Sequence, residues 1–256
     1  RCRFALFTIK AHTCAAFSRT SPLPLHSLNE RRTVMSCSIS ICIRTKDWTM
    51  GYWCGCSLLI REGYKATVEW GDGKLHKVTG SSEWIYVTHE YPKPILLYVI
   101  RISTEEDDAL WGFQDAMHEV DVLDFDCSGC PSLRFLGFSY LEKLDVSCNL
   151  HLERLVCNEG RFTTLDLSQN AELKMLDCHY CPKLVSLDLT SCNRLERLNC
   201  WLCGSLFHIA LSNQSVLKEV NYGDTCLREK SEKHLLRLID RNGEALFDSL
   251  FNMWND

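Results

Sequence analysis

The sequence predicts a mainly β chain, α+β overall: a small amino-terminal β-sandwich, then a solenoid of stacked repeats, then a helical cap. Three observations predict it. Residues 122–229 carry one pattern five times in matching register. Residues 36–104 alternate short strand-like runs with turns, and residues 231–254 carry helical apolar spacing. The 256 residues, 46% of them hydrophobic, suffice for one or two packed domains.

The repeats are the most regular part. They begin at Val122, Leu141, Phe162, Leu184 and Leu206, spaced 19, 21, 22 and 22 residues apart. The third reads Phe162-x-x-Leu165-x-Leu167-x-x-Asn170, then Leu173-x-x-Leu176-x-Cys178-x-x-Cys181. The fourth reads Leu184-x-x-Leu187-x-Leu189-x-x-Cys192, then Leu195-x-x-Leu198-x-Cys200-x-x-Cys203. Each unit is therefore two 11-residue halves. The first (Val122, Phe125, Cys127, Cys130; Leu133, Leu136, Phe138) and second (Leu141, Leu144, Val146, Asn149; Leu152, Leu155, Cys157) keep the register, and the fifth is degenerate. Alternation at L-x-L is the period of a strand with one buried face. A single turn cannot bury that face, whereas stacked turns bury it against one another. One half of each unit is expected to hold an Asp/Ser-bearing strand and the other a Cys-bearing strand. At the position closing each half, an inward Asn bonds the backbone of the turn and Cys is a small apolar substitute.

These residues resemble the bacterial leucine-rich-repeat family, in particular short-repeat proteins with units L-x-x-L-D-V-S-x-N and L-x-x-L-x-C-x-x-N. Here the motif is Leu144-Asp-Val-Ser-Cys-Asn149, Leu165-Asp-Leu-Ser-Gln-Asn170 and Leu187-Asp-Leu-Thr-Ser-Cys192. The resemblance covers about residues 120–229. It implies a leucine-rich-repeat solenoid and an interaction protein of the cell surface or the secreted fraction.

Residues 35–104 form the expected sandwich. Val68-Glu-Trp70-Gly-Asp-Gly73 is a strand entering a turn. Trp84–Tyr91 and Ile95–Ile102 are further strands, and Ser38–Arg44 and Cys56–Ile60 are earlier ones. The W-G-D-G turn, His89-x-Tyr91 and Tyr98–Ile102 look like a PKD-type immunoglobulin-like β-sandwich, a spacer or adhesion module. The turn near Pro92–Pro94 lacks the Gly usual in that family. Residues 105–121, with the acidic run Glu105–Asp108, are expected to be a linker and amino-terminal cap. Residues 230–256 are the expected carboxyl-terminal cap, two amphipathic helices broken at Asn242-Gly243. In the second, Leu246, Phe247, Leu250, Phe251 and Trp254 would cover the last repeat. Residues 1–34 begin with Arg, are rich in Ser and Pro around Ser21–Pro24, and show no clear signal peptide. They are expected to be a disordered or non-native leader, with Met35 able to serve as a start.

Sixteen cysteines raise the question of metal and disulfides. Cys178-x-x-Cys181 and Cys200-x-x-Cys203 lie 18 residues apart, a spacing that fits a zinc ribbon. The repeat explains the same residues by register, since Cys157, Cys178 and Cys200 fill the inward strand position. Like positions in stacked turns lie along a line instead of around a tetrahedral centre, so free buried thiols and no metal or cofactor are expected. Disulfides along the ladder are disfavoured because parallel in-register Cβ vectors suit the bond poorly. Cys54 and Cys56 are the expected exception.

Two outward columns are candidate sites. Asp126, Asp145, Asp166 and Asp188 recur in successive repeats, followed two residues on by Ser128, Ser147, Ser168 and Thr190. This polar ladder is either a cation strip or a repeated turn bond, and too few oxygens per turn argue for the turn bond. The second column holds Tyr140, His179, Tyr180, Trp201 and Leu202, with Phe207 nearby. Exposed aromatics on a rigid scaffold suit a binding surface. No motif of a metalloprotease, a serine hydrolase or a phosphate-binding loop occurs, so no enzyme is expected. Net charge is −5 without a basic face, which argues against nucleic acid. No apolar run approaches the ~18 residues of a membrane span. The expected protein is a monomeric scaffold for a protein or glycan partner. A zinc-binding module and a structural piece of a larger adhesin are the alternatives.

Overall fold

The computed structural model describes residues 37–45, 53–92, 97–117 and 120–242, all within the compact unit Val34–Asp256. The expected leader 1–34, the turn residues 93–96 and the second cap helix lie outside the described residues. Among the described residues, fifteen strands and one helix are formed.

The first eight strands are β1 (Ser38–Thr45), β2 (Trp53–Ile60), β3 (Lys65–Glu69), β4 (Leu75–Thr79), β5 (Trp84–Glu90), β6 (Leu97–Thr104), β7 (Leu110–Ala116) and β8 (Val120–Gly129). One sheet is antiparallel throughout, in the order β4-β3-β6-β1-β8. Its strands alternate as a half-buried sheet must: Ile39, Ile41 and Ile43 on β1 and Ile100 and Ile102 on β6 are buried, with polar neighbours between them. The second sheet places β2 between β5 and β7. Cys54, Cys56, Leu58 and Ile60 of β2 join the isoleucines of the first sheet in one core.

β9 (Phe135–Gly137), β10 (Arg154–Val156), β11 (Met175–Asp177), β13 (Arg197–Asn199) and β15 (Glu219–Asn221) are the rungs of a parallel β-solenoid. They pair in register, so that Leu136, Leu155, Leu176, Leu198 and Val220 stack into a buried spine. All five lie in the Cys-bearing halves. The expected second strand ladder is largely replaced by turns. Among the described residues, the Asp-bearing halves form one parallel strand pair, β12 (Ser186–Leu189) with β14 (His208–Leu211).

The expected linker is part of the sheet. β7 pairs antiparallel with β2 and parallel with β9, so one eight-stranded sheet, β15-β13-β11-β10-β9-β7-β2-β5, runs from solenoid into sandwich. Its buried Leu110 and Phe113 are the apolar pattern hidden behind the acidic run. The Asp-bearing half of the first repeat is likewise corrected. It is β8, an antiparallel edge partner of β1, because Val120–Gly129 stays extended long enough to complete that sheet.

The cysteines are corrected too. Cys37 and Cys130 form a disulfide. They sit just beyond the Ser38↔Gly129 pair, where antiparallel neighbours face each other. Cys54 and Cys56 stay free and buried, and so do the ladder thiols Cys157, Cys178, Cys181, Cys200 and Cys203.

Each solenoid turn is closed from inside. Asn149 Nδ2 donates to Cys127 O at 3.0 Å and Cys130 O at 2.8 Å, and Asn170 Nδ2 donates to Val146 O and Asn149 O one turn on. Cysteine at the closing position keeps a weaker version of this bond. Cys181 Sγ donates to Cys157 O at 3.3 Å and Cys203 Sγ to Cys178 O at 3.1 Å. The helix α1 (Glu229–Asn242) then lays Leu235, Leu238 and Ile239 into the core. Acidic residues in its first turn suit the helix dipole.

Candidate functional site

Alternate residues of the eight-stranded sheet point away from the core. Strand pairing lines them into rows. One row runs Trp84, Leu59, Gly112, Phe135, Arg154, Met175, Arg197, Glu219, and the next includes Tyr86, Gln114, Val156, Asp177 and Asn199. The aromatic end belongs to the sandwich. Trp84 is 43% exposed and Tyr86 62% exposed. Trp84 meets Phe135 edge-on with centroids 4.9 Å apart, across Gly112, where a Cβ would sit 2.8 Å from Trp84 Cη2. Phe135 in turn packs on Val156 and Met175.

The third row leads into the turns that follow the strands. It contains Ser139, Asn158, His179, Trp201 and Gly223. His179 is tied down: its Nδ1 lies 2.7 Å from Asp177 Oδ1, which also accepts the His179 N–H at 3.1 Å. This hydrogen bond to Asp177 raises the imidazole pKa above its ordinary value, against the opposing effect of burial. Trp201 is half-buried, donates its backbone N–H to Asn199 Oδ1 at 3.2 Å, and lies over Gly223.

Tyr140, Tyr180 and Leu202 occupy one turn position, which Glu159 and Asp224 fill in the other two turns. All five are left-handed, with φ of 64°, 56°, 58°, 56° and 54° for Tyr140, Tyr180, Leu202, Glu159 and Asp224. The first four donate their N–H across to the neighbouring turn, to Asn158 O, Trp201 O, Gly223 O and His179 O. This geometry extends the backbone ladder beyond the strand end and turns the chain back inward. Residues with a Cβ adopt it at a cost of about 1 kcal/mol each. The tyrosines are left facing solvent, Tyr140 48% and Tyr180 50% exposed.

The expected aromatic column is thus brought together for Tyr140, His179, Tyr180, Trp201 and Leu202. Phe207 is placed apart, before β14, with the Arg228 guanidinium 4.6 Å from its ring centroid. Arg154, Met175, Arg197, Trp84 and Phe135 were not anticipated. The signal for Phe135, Arg154, Met175 and Arg197 lay in their place beside the central Leu of each repeat strand, a place that forms a face only once that half is recognised as the strand.

The aspartate ladder forms turn bonds. Oδ1 of Asp126, Asp145, Asp166 and Asp188 accepts the N–H of Ser128, Ser147, Ser168 and Thr190 at 2.9, 2.9, 2.9 and 3.0 Å. The backbone bond from Ser168 holds the Asp166 carboxyl below the usual range, and the Thr190 hydroxyl does the same for Asp188. Side-chain capture of a backbone N–H competes with strand pairing.

Among the described residues, no group of three His, Cys, Asp or Glu side chains is placed to hold a metal ion. Cys178, Cys181, Cys200 and Cys203 are buried within the stack. Burial pushes the Cys157 and Cys200 thiols well up, whereas hydrogen bonds with Cys178 and Cys181 hold the Cys203 thiol down. Among the described residues no helix is long and apolar enough to cross a membrane.

No family model matches the sequence, and no curated protein does. Among solved structures, the chain is similar to the functional domain of InlJ from Listeria monocytogenes, described as including a cysteine ladder. The identity is 20%, over 41% of this chain and 38% of that one, with a TM-score of 0.24. The match therefore spans well under half of that chain's length.

Proposed function

We propose that this protein is a non-enzymatic interaction scaffold, of the bacterial surface or secreted leucine-rich-repeat type, that binds a protein or a glycan. Its amino-terminal two-sheet region serves as a PKD-like, immunoglobulin-type module, and the partner sits on the outer face of the eight-stranded sheet and its tyrosine-bearing rim. One observation carries this reading: Tyr140 and Tyr180 are held half-exposed at left-handed positions that glycine or asparagine would fill at lower cost. A bulky ring kept where the backbone disfavours it contributes more to recognition than to folding.

Screening the labelled chain against protein and glycan arrays tests the reading. Tyr180→Ala with Trp201→Ala should lower binding to any ligand found by at least tenfold while the thermal midpoint stays within a few degrees. Undiminished binding by this double variant sinks the proposed face.

A further inference from the structure

The Asp-bearing side of the solenoid ends in an open strand edge. Among the described residues, β14 pairs with β12 and with no other strand. A cleft of about 520 Å³ runs between β14 and the first three turns of α1. All of β14, from His208 to Leu211, lines it, with Ile209 and Leu211 buried. His208 Nδ1 lies 2.9 Å from Ser231 Oγ, which ties the strand to the helix. A strand edge presents backbone N–H and C=O groups at fixed spacing, a template for a further strand. The helix wall is cationic. Lys230, Lys233, His234 and Arg237 line the cleft, and their i, i+3, i+4, i+7 spacing sets them on one face of α1. The acids of the same turns are engaged: Glu229 is ion-paired with Lys233, and Glu232 Oε1 accepts the Tyr222 hydroxyl. The rim is therefore basic in a chain of net charge −5.

We propose that this cleft binds an extended acidic peptide of a partner protein, which adds as a strand to the free edge of β14 alongside α1. Backbone bonds to β14 supply the affinity, and alternate side chains supply the selectivity. An added strand continues the rows of the strand it joins, because successive side chains point to opposite faces. Apolar residues of the peptide extend the row of Ile209 and Leu211. The residues between them are acidic and pair with the cations of α1. The dimensions agree. The rise from Lys230 to Arg237 is roughly 10 Å along the helix. Two carboxylates in alternate positions of an extended chain, about 7 Å apart, fit within it. Lys and Arg on the helix also exclude a basic peptide, so the same rim sets the sign of the partner. This inference does not rest on the partner proposed for the sheet face.

Fluorescence anisotropy on the full-length chain tests it, with a labelled synthetic peptide of alternating Glu and Val as the probe. The Glu–Val peptide should bind at least tenfold tighter than its Lys–Val counterpart. N-methylation of alternate peptide nitrogens, made in either register, removes strand donors without changing charge, and in one register should weaken binding at least tenfold. Lys233→Glu with Arg237→Glu should reverse the preference, so that the Lys–Val peptide binds better. The bound Glu–Val peptide should slow amide exchange in residues 208–211 and leave residues 175–177 unchanged. Tyr180→Ala with Trp201→Ala should bind the peptide as the wild type does, which separates this site from the sheet face. Absence of binding, equal binding of the two peptides, no loss on N-methylation in either register, or unchanged exchange at β14 would each overturn the proposal.

Discussion

The sandwich and the solenoid share a sheet but satisfy their interior polar groups in opposite ways. In the sandwich, polar contacts gather at one point. Trp70 Nε1 donates to His76 Nδ1 at 3.1 Å, Tyr91 Oη donates to Trp70 O at 2.9 Å, and His89 Nε2 lies 3.0 Å from Asp72 Oδ2. His89 stacks on Trp70, and Tyr91 stacks on Tyr98. In the solenoid, polar satisfaction is distributed, with one Asn or Cys closing each turn. A concentrated network fails as a unit, whereas a repeated one fails a turn at a time. Substitutions should therefore have broad effects in the first region and local ones in the second.

The largest effect belongs to the bond that ties the start of the sandwich to the start of the solenoid. The Cys37–Cys130 disulfide closes a span of 93 residues. Removing it as Cys37→Ser with Cys130→Ser should cost about 4 kcal/mol by the loop-entropy argument. Urea unfolding of the oxidised chain, the reduced chain and the double variant measures this. Identical midpoints for all three would mean that the two thiols are not joined in the folded protein.

Next in size is the polar network. Asp72 Oδ1 also accepts the Lys74 N–H at 3.0 Å, which shapes the turn that Gly71 and Gly73 enter at positive φ. Asp72→Ala removes both bonds and strands His89, at a cost of about 3 kcal/mol in unfolding free energy. Acid should reproduce part of this loss. Burial lowers the His89 pKa, and the bonds from Lys74 and His89 lower that of Asp72 although burial opposes them. Both groups bind protons more readily unfolded. Their stabilisation is present above about pH 6.5 and 3.9 respectively and is lost as pH falls through the lower folded values. His179 has the opposite sign. Its folded pKa is raised by Asp177, so its contribution is full below about pH 6.5 and is lost as pH rises through the folded value. The thermal midpoint followed against pH in His89→Gln and His179→Asn chains separates the two regions. Parallel profiles for both variants would erase the contrast.

The same contrast explains how much the sequence revealed. The solenoid was legible because every turn repeats its own evidence: Leu155, Leu176 and Leu198 announce one another at fixed spacing, and the thiol register follows. The sheet face remained hidden because Arg154, Met175 and Arg197 share no chemistry and only their position unites them. β7 was masked by the acidic run before it. β8 carries a repeat motif yet pairs with β1, since local pattern cannot say which neighbour a strand will meet. The Asp72–His89 contact was equally silent, since two residues 17 apart in sequence meet only after the sheets pack. Of the candidate column, the turn position could be read directly, but its left-handed backbone could not, because tyrosine is the wrong residue to signal it.

A smaller effect sharpens the account of distributed satisfaction. Cys127 Sγ donates to Asn149 Oδ1 at 3.2 Å. One turn later Val146 takes the place of that cysteine, and the buried Asn170 Oδ1 has no hydrogen-bond partner. Val146→Cys should supply the missing donor and stabilise the chain by about 0.5 to 1 kcal/mol, although it removes apolar volume. The matching Cys127→Val change should lose a similar amount. If denaturant midpoints shift by equal amounts in the same direction for both substitutions, packing rather than the thiol bond governs this position.

The smallest expected change in stability falls on the rim and bears most on function. Asparagine tolerates the left-handed region better than tyrosine does. Tyr180→Asn, at φ 56°, should therefore raise stability by a few tenths to about 1 kcal/mol. The substitution leaves the backbone bond from residue 180 to Trp201 O in place and removes the exposed ring. Stability and recognition should move apart: a higher midpoint in urea, together with weaker binding to whatever ligand the arrays identify. A variant that loses stability would show that the ring packs against its neighbours strongly enough to offset the backbone cost. Tyr180 would then be part of the scaffold and not of the surface it presents.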